Sequence, residues 1–535
     1  MGQMIWGAVK WGLEPKGGSA RAAGVVGLVL LVAALALYWP PTDFPFTYHN
    51  DEPSKVEQVM TGTRNLRHPV LMLTVADGVV GWFGVRDQPQ KVAWIGRAMS
   101  GLAMAVAVGA LGVTVTLAVG WLPGLFAGVL GLAQADFFEA SQMFKEDAWH
   151  LATGALAVLG AVAWAHQSGA RRSIGWALGF GCVLGLAVSA RYYVVLPVGL
   201  ALVWVWMRGD RWWQGLGVAA LGLAGVFLTL HLPWLKEGEW VRGEVAREMA
   251  YFLHGHFGVG EAVPHRLYWR KWEAMASLFQ WVLVSVGLLG LATRRYWAGL
   301  VALGGVAVYV SALSWSPKFS DRYFLPVEWA WCLALGLGLG VAGMALLRFG
   351  RAFGETWGVA LAALGVGGAG LWLAAGPWAE MQERQARFDM DARQELARWM
   401  ETHLPPEARW VEDDLAQIRV WLPHRTLSFA EFVVDLGTPE DLIAAGATHV
   451  VLCRDRHHRY SARGQVVRVD EGGAARVRRE RYQRLLEEGR LVWSRPGMNP
   501  KVLYPGLDLI ELAPFRSGAG AEGKDAGEKD QGQKE

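Results

Sequence analysis

The sequence predicts a membrane all-α bundle of about eleven transmembrane helices, with juxtamembrane helices in its first outer loop, followed by a soluble α/β domain. Three observations predict it. Of 535 residues, 53% are hydrophobic and only 19% charged, and the apolar ones gather in blocks long enough to cross a bilayer. The 29 Trp fit side chains that rest at bilayer interfaces. Beyond Pro377 the apolar blocks give way to short strand-like runs and charged helices. A net charge of +3 is too small to argue for nucleic acid as a partner.

The blocks fall at 22–39, 98–119, 124–138, 150–166, 174–190, 192–207, 214–232, 277–293, 297–313, 325–347 and 357–376. The first ends in Tyr38-Trp39-Pro40-Pro41 with no small-residue cleavage site after it, so it is expected to stay as an anchor. One set of connections is short and basic: Lys10, Lys16 and Arg21, then Arg171 and Arg172, Arg208 and Arg211, Arg294 and Arg295, and Arg348 and Arg351. Only Glu14, Asp210 and Glu355 stand against them, and the uncharged turn 120–124 is the exception. The positive-inside rule assigns these connections and the N-terminus to the cytoplasm of a multi-pass cell-membrane protein. The outer face then holds the loops 40–97 and 139–150, the turn at Arg191, the segment 233–276, the loop 314–323 and the chain from about 380. Long polar loops on that face predict an outward-facing site.

Within segment 233–276, Glu239, Arg242, Glu244, Arg247 and Glu248 alternate with Trp240, Val241, Val245, Met249 and Phe252. This spacing predicts an amphipathic helix along the interface that ends before Gly255. In the first outer loop, Ser54-Lys55-Val56-Glu57 has capping-box spacing, and Val70 to Phe83 reads as apolar surface dipping into the membrane. The expected organisation is a membrane domain over 1–379, an outward-facing α/β domain over 380–516 and a disordered tail over 517–535. In the α/β domain, strands are expected at 408–411, 425–429, 448–453, 491–494 and 508–512, with helices over 380–402, 413–420 and 438–445. The acidic run Glu412-Asp413-Asp414 reads as a solvated face, and three scattered cysteines imply no disulfide framework.

The chemistry is sought on the outer face. Asp51-Glu52 follows the first block, and Glu146-Asp147 opens the fourth. Each pair is a good helix cap, but two pairs on one face invite a cation, a proton or a basic group between them. Basic partners on that face are Arg191, beside Tyr192-Tyr193, and Lys318 and Arg322 in the loop before Tyr323-Phe324. Such residues hold a phosphate by charge-assisted hydrogen bonds or anchor helices among headgroups. His254-Gly255-His256 brings two imidazoles together only on an extended chain, which makes a weak metal signal. No phosphate-cradling Gly-Lys-Ser/Thr loop and no zinc-spaced cysteine pair is present, which disfavours an ATP-driven pump.

The order of these motifs resembles the GT-C class of polyprenyl-phosphate-sugar-dependent membrane glycosyltransferases, in particular protein O-mannosyltransferases and aminoarabinose–lipid A transferases. The residues that carry the resemblance are Asp51-Glu52, Asn65-Leu66-Arg67-His68-Pro69, Lys145-Glu146-Asp147, Arg191-Tyr192-Tyr193, Pro233-Trp234, Gly255-His256-Phe257-Gly258 and Arg322-Tyr323-Phe324-Leu325-Pro326. It covers about 20–380, and it departs at His68-Pro69-Val70, where a doubled Pro is common, and at Arg191, where Lys is common. The resemblance implies a GT-C-like fold and an inverting transfer of a sugar from a polyprenyl-phosphate donor to a protein, lipid or glycan acceptor. It implies Asp51 as base with Glu52 beside it, and Glu146 and Asp147 orienting the acceptor. It also implies Arg191, Lys318 and Arg322 at the donor phosphate, and His68, Tyr192, His254, His256 and Tyr323 around the donor. No cofactor is certain; a divalent cation (Mg, Mn or Zn) between Asp51 and Asp147 is the one candidate. The rival readings are an O-antigen ligase or polymerase using a diphosphate-linked donor, a transporter of lipid-linked solutes, and a plain anchor for the soluble domain. A transporter would bury charges at mid-bilayer, whereas here they gather in outer loops.

Overall fold

The computed structural model describes residues 17–40, 51–64, 70–165, 170–191, 212–234, 238–255, 259–274, 277–292, 298–317, 320–387, 391–461, 465–469, 473–497 and 505–513. The chain forms two compact units, Met1–Met249 with Pro264–Gln385 and Ala250–Val263 with Ala386–Glu535.

The first unit is helical: α1 (Gly17–Tyr38), α2 (Glu52–Thr61), α3 (Val70–Phe83), α4 (Pro89–Val119), α5 (Trp121–Leu132), α6 (Ala135–Ser141), α7 (Glu146–Ala165), α8 (Ala170–Ala190), α9 (Trp212–His231) and α10 (Gly238–His254). After strand β1 (Val259–Glu261), which belongs to the second unit, come α11 (Pro264–Ala274), α12 (Leu278–Ala292) and α13 (Ala298–Trp315). A 3₁₀ turn at Asp321–Phe324 leads into α14 (Leu325–Arg351) and α15 (Glu355–Arg387). Ten of the eleven predicted blocks fall on these helices, and the block 192–207 lies outside the described residues. Among the described residues, four helices are long and apolar enough to cross a membrane, or five if α5 and α6, bent by 65°, are one broken span. Val25, Leu28 and Val32 on α1 and Leu364, Leu371 and Trp372 on α15 are exposed, as lipid-facing side chains would be. The unit is a membrane helical bundle. The short segments predicted after the first block are α2 and α3, and the amphipathic stretch is α10, closed by Gly255 at φ +84°.

Two contacts place the connecting segments. Tyr38 ends α1 by donating its hydroxyl to the Leu132 carbonyl at 3.1 Å, and Gln142 Nε2 donates to the Tyr38 carbonyl at 3.0 Å. Gly96 on α4 lies under the Phe144 ring, where an added Cβ would come within 2.2 Å of a ring carbon. Only glycine admits the ring there, so the 142–147 segment beds onto α4.

The second unit contains α16 (Ala392–His403), β2 (Trp410–Asp413), β3 (Thr426–Ala430), α17 (Pro439–Ala444), β4 (His449–Cys453), α18 (Arg454–Ser461), β5 (Gln465–Val467), α19 (Ala474–Glu488), β6 (Arg490–Arg495) and β7 (Leu507–Glu511). Its sheet runs β3-β2-β4-β7-β6, with β2 parallel to β3 and β4, and β7 antiparallel to its neighbours. β4 is buried on both faces. Val450 and Leu452 pack with Tyr482 and Leu485, whereas Val451 and Cys453 pack with Leu396 and Met400. This two-residue alternation explains why its sequence reads as a continuous apolar run.

Three expectations change here. The helix expected over 380–402 is two helices, α15 ending at Arg387 and α16 beginning at Ala392, where Asp391 accepts a hydrogen bond from the Arg393 N–H. The helix expected at 413–420 is reduced to a 3₁₀ turn at Ile418–Val420, and α18 and α19 were not anticipated. Most instructive is Glu412-Asp413-Asp414. Glu412 and Asp413 are fully buried on β2 rather than solvated, Glu412 on Arg419 and Asp413 on two backbone N–H groups and a phenol. A strand is narrow enough for its short carboxylates to be claimed by neighbouring backbone, which the charge run alone does not reveal.

Candidate active site

In the membrane unit, four segments bring acidic and basic residues together: the start of α2, the 142–147 loop, the end of α8, and the 3₁₀ turn before α14. Asp51 occupies the N-cap position of α2, with Pro53 in the first turn, yet its side chain makes no capping hydrogen bond. The carboxylate lies 3.0 Å from Lys145 Nζ and 3.9 Å from Arg322 Nη1, and its side chain is 31% exposed. A carboxylate used as a cap would be turned onto its own helix; this one faces two cations from remote segments.

Its neighbour Glu52 is sealed. Arg97 grips it with two parallel bonds, Nε to Oε1 at 3.1 Å and Nη2 to Oε2 at 2.6 Å, and the Phe144 N–H donates to Oε1 at 2.8 Å. Both partners are buried, so Glu52 fastens the 142–147 segment to α4. Glu146 is similarly held, by Lys55 Nζ at 2.6 Å. Asp147 is paired with Arg191, whose guanidinium also stacks 5.2 Å from the Tyr323 ring centroid. Arg322 lies 5.4 Å from the same ring, and Tyr309 fixes the turn by donating to the Tyr323 carbonyl at 2.9 Å. Burial, with Arg322 beside it, pushes the Lys145 ammonium below the ordinary lysine value against the pull of Asp51 and Asp147.

Of the residues singled out from the sequence, Asp51, Glu52, Glu146, Asp147, Arg191, Arg322 and Tyr323 therefore lie in one linked cluster. Lys318, His68, Tyr192 and His256 lie outside the described residues. His254 closes α10 and groups with the second unit. Sequence reasoning missed Lys55, Arg97 and Lys145 as partners. Lys145 lay within a quoted motif and Lys55 within a quoted capping box; Arg97 sat beside an apolar block with no local signal. Asp51 and Asp147 each face a cationic side chain, and among the described residues no group of three or more His, Cys, Asp or Glu converges.

An apolar helical bundle with an ionic cluster assembled from its connecting segments defines a membrane protein with a built polar site. Solved structures similar to this chain are GT-C glycosyltransferases. One is ArnT from Cupriavidus metallidurans bound to undecaprenyl phosphate, at 15% identity and TM-score 0.48 over 93% of this chain and 98% of that one. Another is the apo oligosaccharyltransferase of Archaeoglobus fulgidus, at 13% identity and TM-score 0.47 over 81% and 70%. A third is the archaeal oligosaccharyltransferase AglB from Archaeoglobus fulgidus with an inhibitory peptide and a dolichol-phosphate, at 11% and 0.44 over the same shares. No family model matches the sequence, and no curated protein does.

Proposed function

We propose that the protein is an inverting glycosyltransferase that moves a sugar from a polyprenyl-phosphate donor to an acceptor hydroxyl at the outer face of the cell membrane. The observation that carries the reading is the Asp51 carboxylate, unused as a cap, partly open, and flanked by Lys145 and Arg322. The motif order that resembles GT-C enzymes supports the same assignment, and the basic inner connections support the outward orientation.

In this reading Asp51 takes the proton of the acceptor hydroxyl as its oxygen attacks the anomeric carbon. The bond from that carbon to the phosphate oxygen breaks on the opposite face, and its electron pair leaves with the phosphate. Arg322, with Lys318 nearby in the chain, receives the charge, because a fixed cation stabilises it best where it develops. Lys145 holds the Asp51 carboxylate in place until the acceptor arrives. Asp147, locked to Arg191, orients the acceptor, and Glu52 is a positioning residue acting through Arg97 and the Phe144 N–H.

The test is sugar transfer by the full chain in liposomes, with a panel of polyprenyl monophosphate and diphosphate sugars. Asp51→Asn is expected to insert normally and lose about 10²–10⁴-fold in turnover; normal turnover would remove Asp51 from the chemistry. For Arg322→Ala the expectation is donor binding weaker by about 10–100-fold, and an unchanged donor affinity would end its phosphate role. Preference for the diphosphate donors would favour the polymerase-like alternative.

A further inference from the structure

The two edges of the second unit's sheet differ. At one edge β6 begins on Arg490 and ends on Arg495, paired with Glu511 and Glu395, and charges at both ends of a strand guard it against pairing with another chain. At the other edge lies β3, Thr426-Leu427-Ser428-Phe429-Ala430, whose neighbour among the described strands is β2 alone. It contains no charge and no proline. Leu427 is 42% exposed and Phe429 52%, and Ser428 is exposed between them. The Trp410 N–H donates to the Arg425 carbonyl at 3.2 Å and the Asp414 N–H to the Ala430 carbonyl at 2.7 Å, so β2 supports the chain from Arg425 to Ala430. The one irregularity is a register shift facing Trp410 and Val411, which leaves Leu427 as the extra residue.

The residues that flank β3 carry unbalanced charge of opposite sign. Arg425 donates to the carbonyls of Ala408 and Pro405 and lies 5.2 Å from the Trp410 ring centroid, and among the described residues no carboxylate pairs with it. Glu431 is half exposed and shares its cation: Arg456 lies 3.3 Å from Glu431 through Nη1 and 2.9 Å from Asp414 through Nη2. One end of the strand therefore holds a cation without a counter-charge, and the other holds two carboxylates on one guanidinium.

We propose that β3 is the docking edge for β3 of a second copy of this chain, the two strands running antiparallel about a two-fold axis at Ser428. Such an axis sets the central residue opposite its own copy, so choosing that residue fixes the register. With Ser428 at the centre, Leu427 faces the partner subunit's Phe429 and Arg425 faces the partner subunit's Glu431, and symmetry makes each pair occur twice. Moving the centre to Leu427 sets Arg425 opposite Phe429, and moving it to Phe429 sets Glu431 opposite Leu427; both shifts lose the charge match. An aromatic ring across from an aliphatic side chain and opposite charges across from each other are the pairs that stabilise an antiparallel ladder. The paired stretch is short and alone falls below the area of a standard stable interface. Two copies held in one membrane meet at a higher effective concentration, which offsets the small area. The inference does not rest on the glycosyl-transfer reading.

The experiment is oxidative cross-linking of the full chain in liposomes, with the wild type alongside because it keeps Cys182, Cys332 and Cys453. In Ser428→Cys the two Cα atoms come to about 4.5–5.5 Å, within disulfide reach, and a covalent dimer is expected. Thr426→Cys and Ala430→Cys each set their own copies about 13 Å apart. Each is expected to stay monomeric alone, and the two mixed are expected to cross-link. Leu427→Lys places a charge in the ladder, and Glu431→Arg sets like charges across it. Each is expected to lower the Ser428→Cys dimer about tenfold. Thermal unfolding checks the fold of both, and if Glu431→Arg disturbs the Arg456 contacts, Leu427→Lys decides alone. A Ser428→Cys chain that stays monomeric overturns the proposal, whether or not the edge then takes up an added extended peptide. So does a Thr426→Cys chain that dimerises as readily as Ser428→Cys, or cross-linking indifferent to Leu427→Lys.

Discussion

In the membrane unit the Asp51 carboxylate is partly open and met by the side-chain cations of Lys145 and Arg322, whereas in the second unit Asp413 is fully buried and met by the N–H groups of Val433 and Cys453 and the hydroxyl of Tyr482. The partners decide what each acid can do. Flexible cations can turn toward an incoming phosphate or hydroxyl without disturbing the helices that carry them. Backbone N–H groups at the end of a strand and the start of a 3₁₀ turn cannot leave Asp413 unless the local backbone opens. The first arrangement exchanges partners and suits chemistry; the second is part of the fold. Glu52 lies beside Asp51 in the chain yet belongs physically with Asp413, because it is sealed and doubly bonded.

The largest stability effect should therefore come from Glu52 rather than from Asp51. Replacing it by Leu leaves Arg97 buried without its partner, and breaking such a pair from one side costs about 3–5 kcal/mol. Adding Arg97→Met should recover most of that loss, since an apolar pair of similar size avoids the uncompensated charge. Thermal unfolding of the full chain in nanodiscs measures both, with Asp51→Asn as the near-neutral reference. A stable Glu52→Leu protein that has lost only turnover would place Glu52 in the chemistry and dissolve the contrast with its neighbour.

A smaller loss is expected on the other side of the comparison. Asp413→Ala strands three buried donors on Val433, Cys453 and Tyr482 and should cost about 2–3 kcal/mol. Hydrogen exchange of the Val433 and Cys453 amides in the full chain reports it directly. Undiminished protection would mean that the carboxylate is not what fixes these two backbone groups.

The bundle was legible because membrane helices write themselves in blocks: 98–119 lies within α4, 325–347 within α14, and Val70–Phe83 is α3 end to end. The strands of the second unit were legible for the related reason that β4 buries both faces and reads as an apolar run. The polar partners were harder. Asp51, Asp147, Arg191 and Arg322 stood out by lying in loops on one predicted face, but nothing local links Glu52 to Arg97, which are brought together by the packing of α2 on α4. For the same reason Asp51-Glu52 and Glu412-Asp413-Asp414 look alike as letters. Only the elements around them separate a carboxylate that faces cations from one held by backbone.

The smallest expected effect tests that last distinction through pH. Burial pushes Asp413 up to about 7, against the hydrogen bonds it accepts, and pushes Glu412 up to about 7 against Arg419. Because the folded values lie above those of the unfolded chain, the folded unit holds protons that the unfolded chain has released. Their contribution to stability is therefore complete below about pH 4 and is lost as pH rises through about 7. Asp508 acts with the opposite sign. Burial opposes it, but hydrogen bonds from His457, Arg454 and Ser494 hold it below the usual carboxylate range, so its contribution disappears only on strong acidification, outside this window. Exchange protection at Val433 and Cys453, corrected for the intrinsic pH dependence of exchange, should fall between pH 5 and 8. In Asp413→Asn, which cannot ionise, the slope should flatten. A slope unchanged by that substitution would show that Asp413 stays ionised when buried.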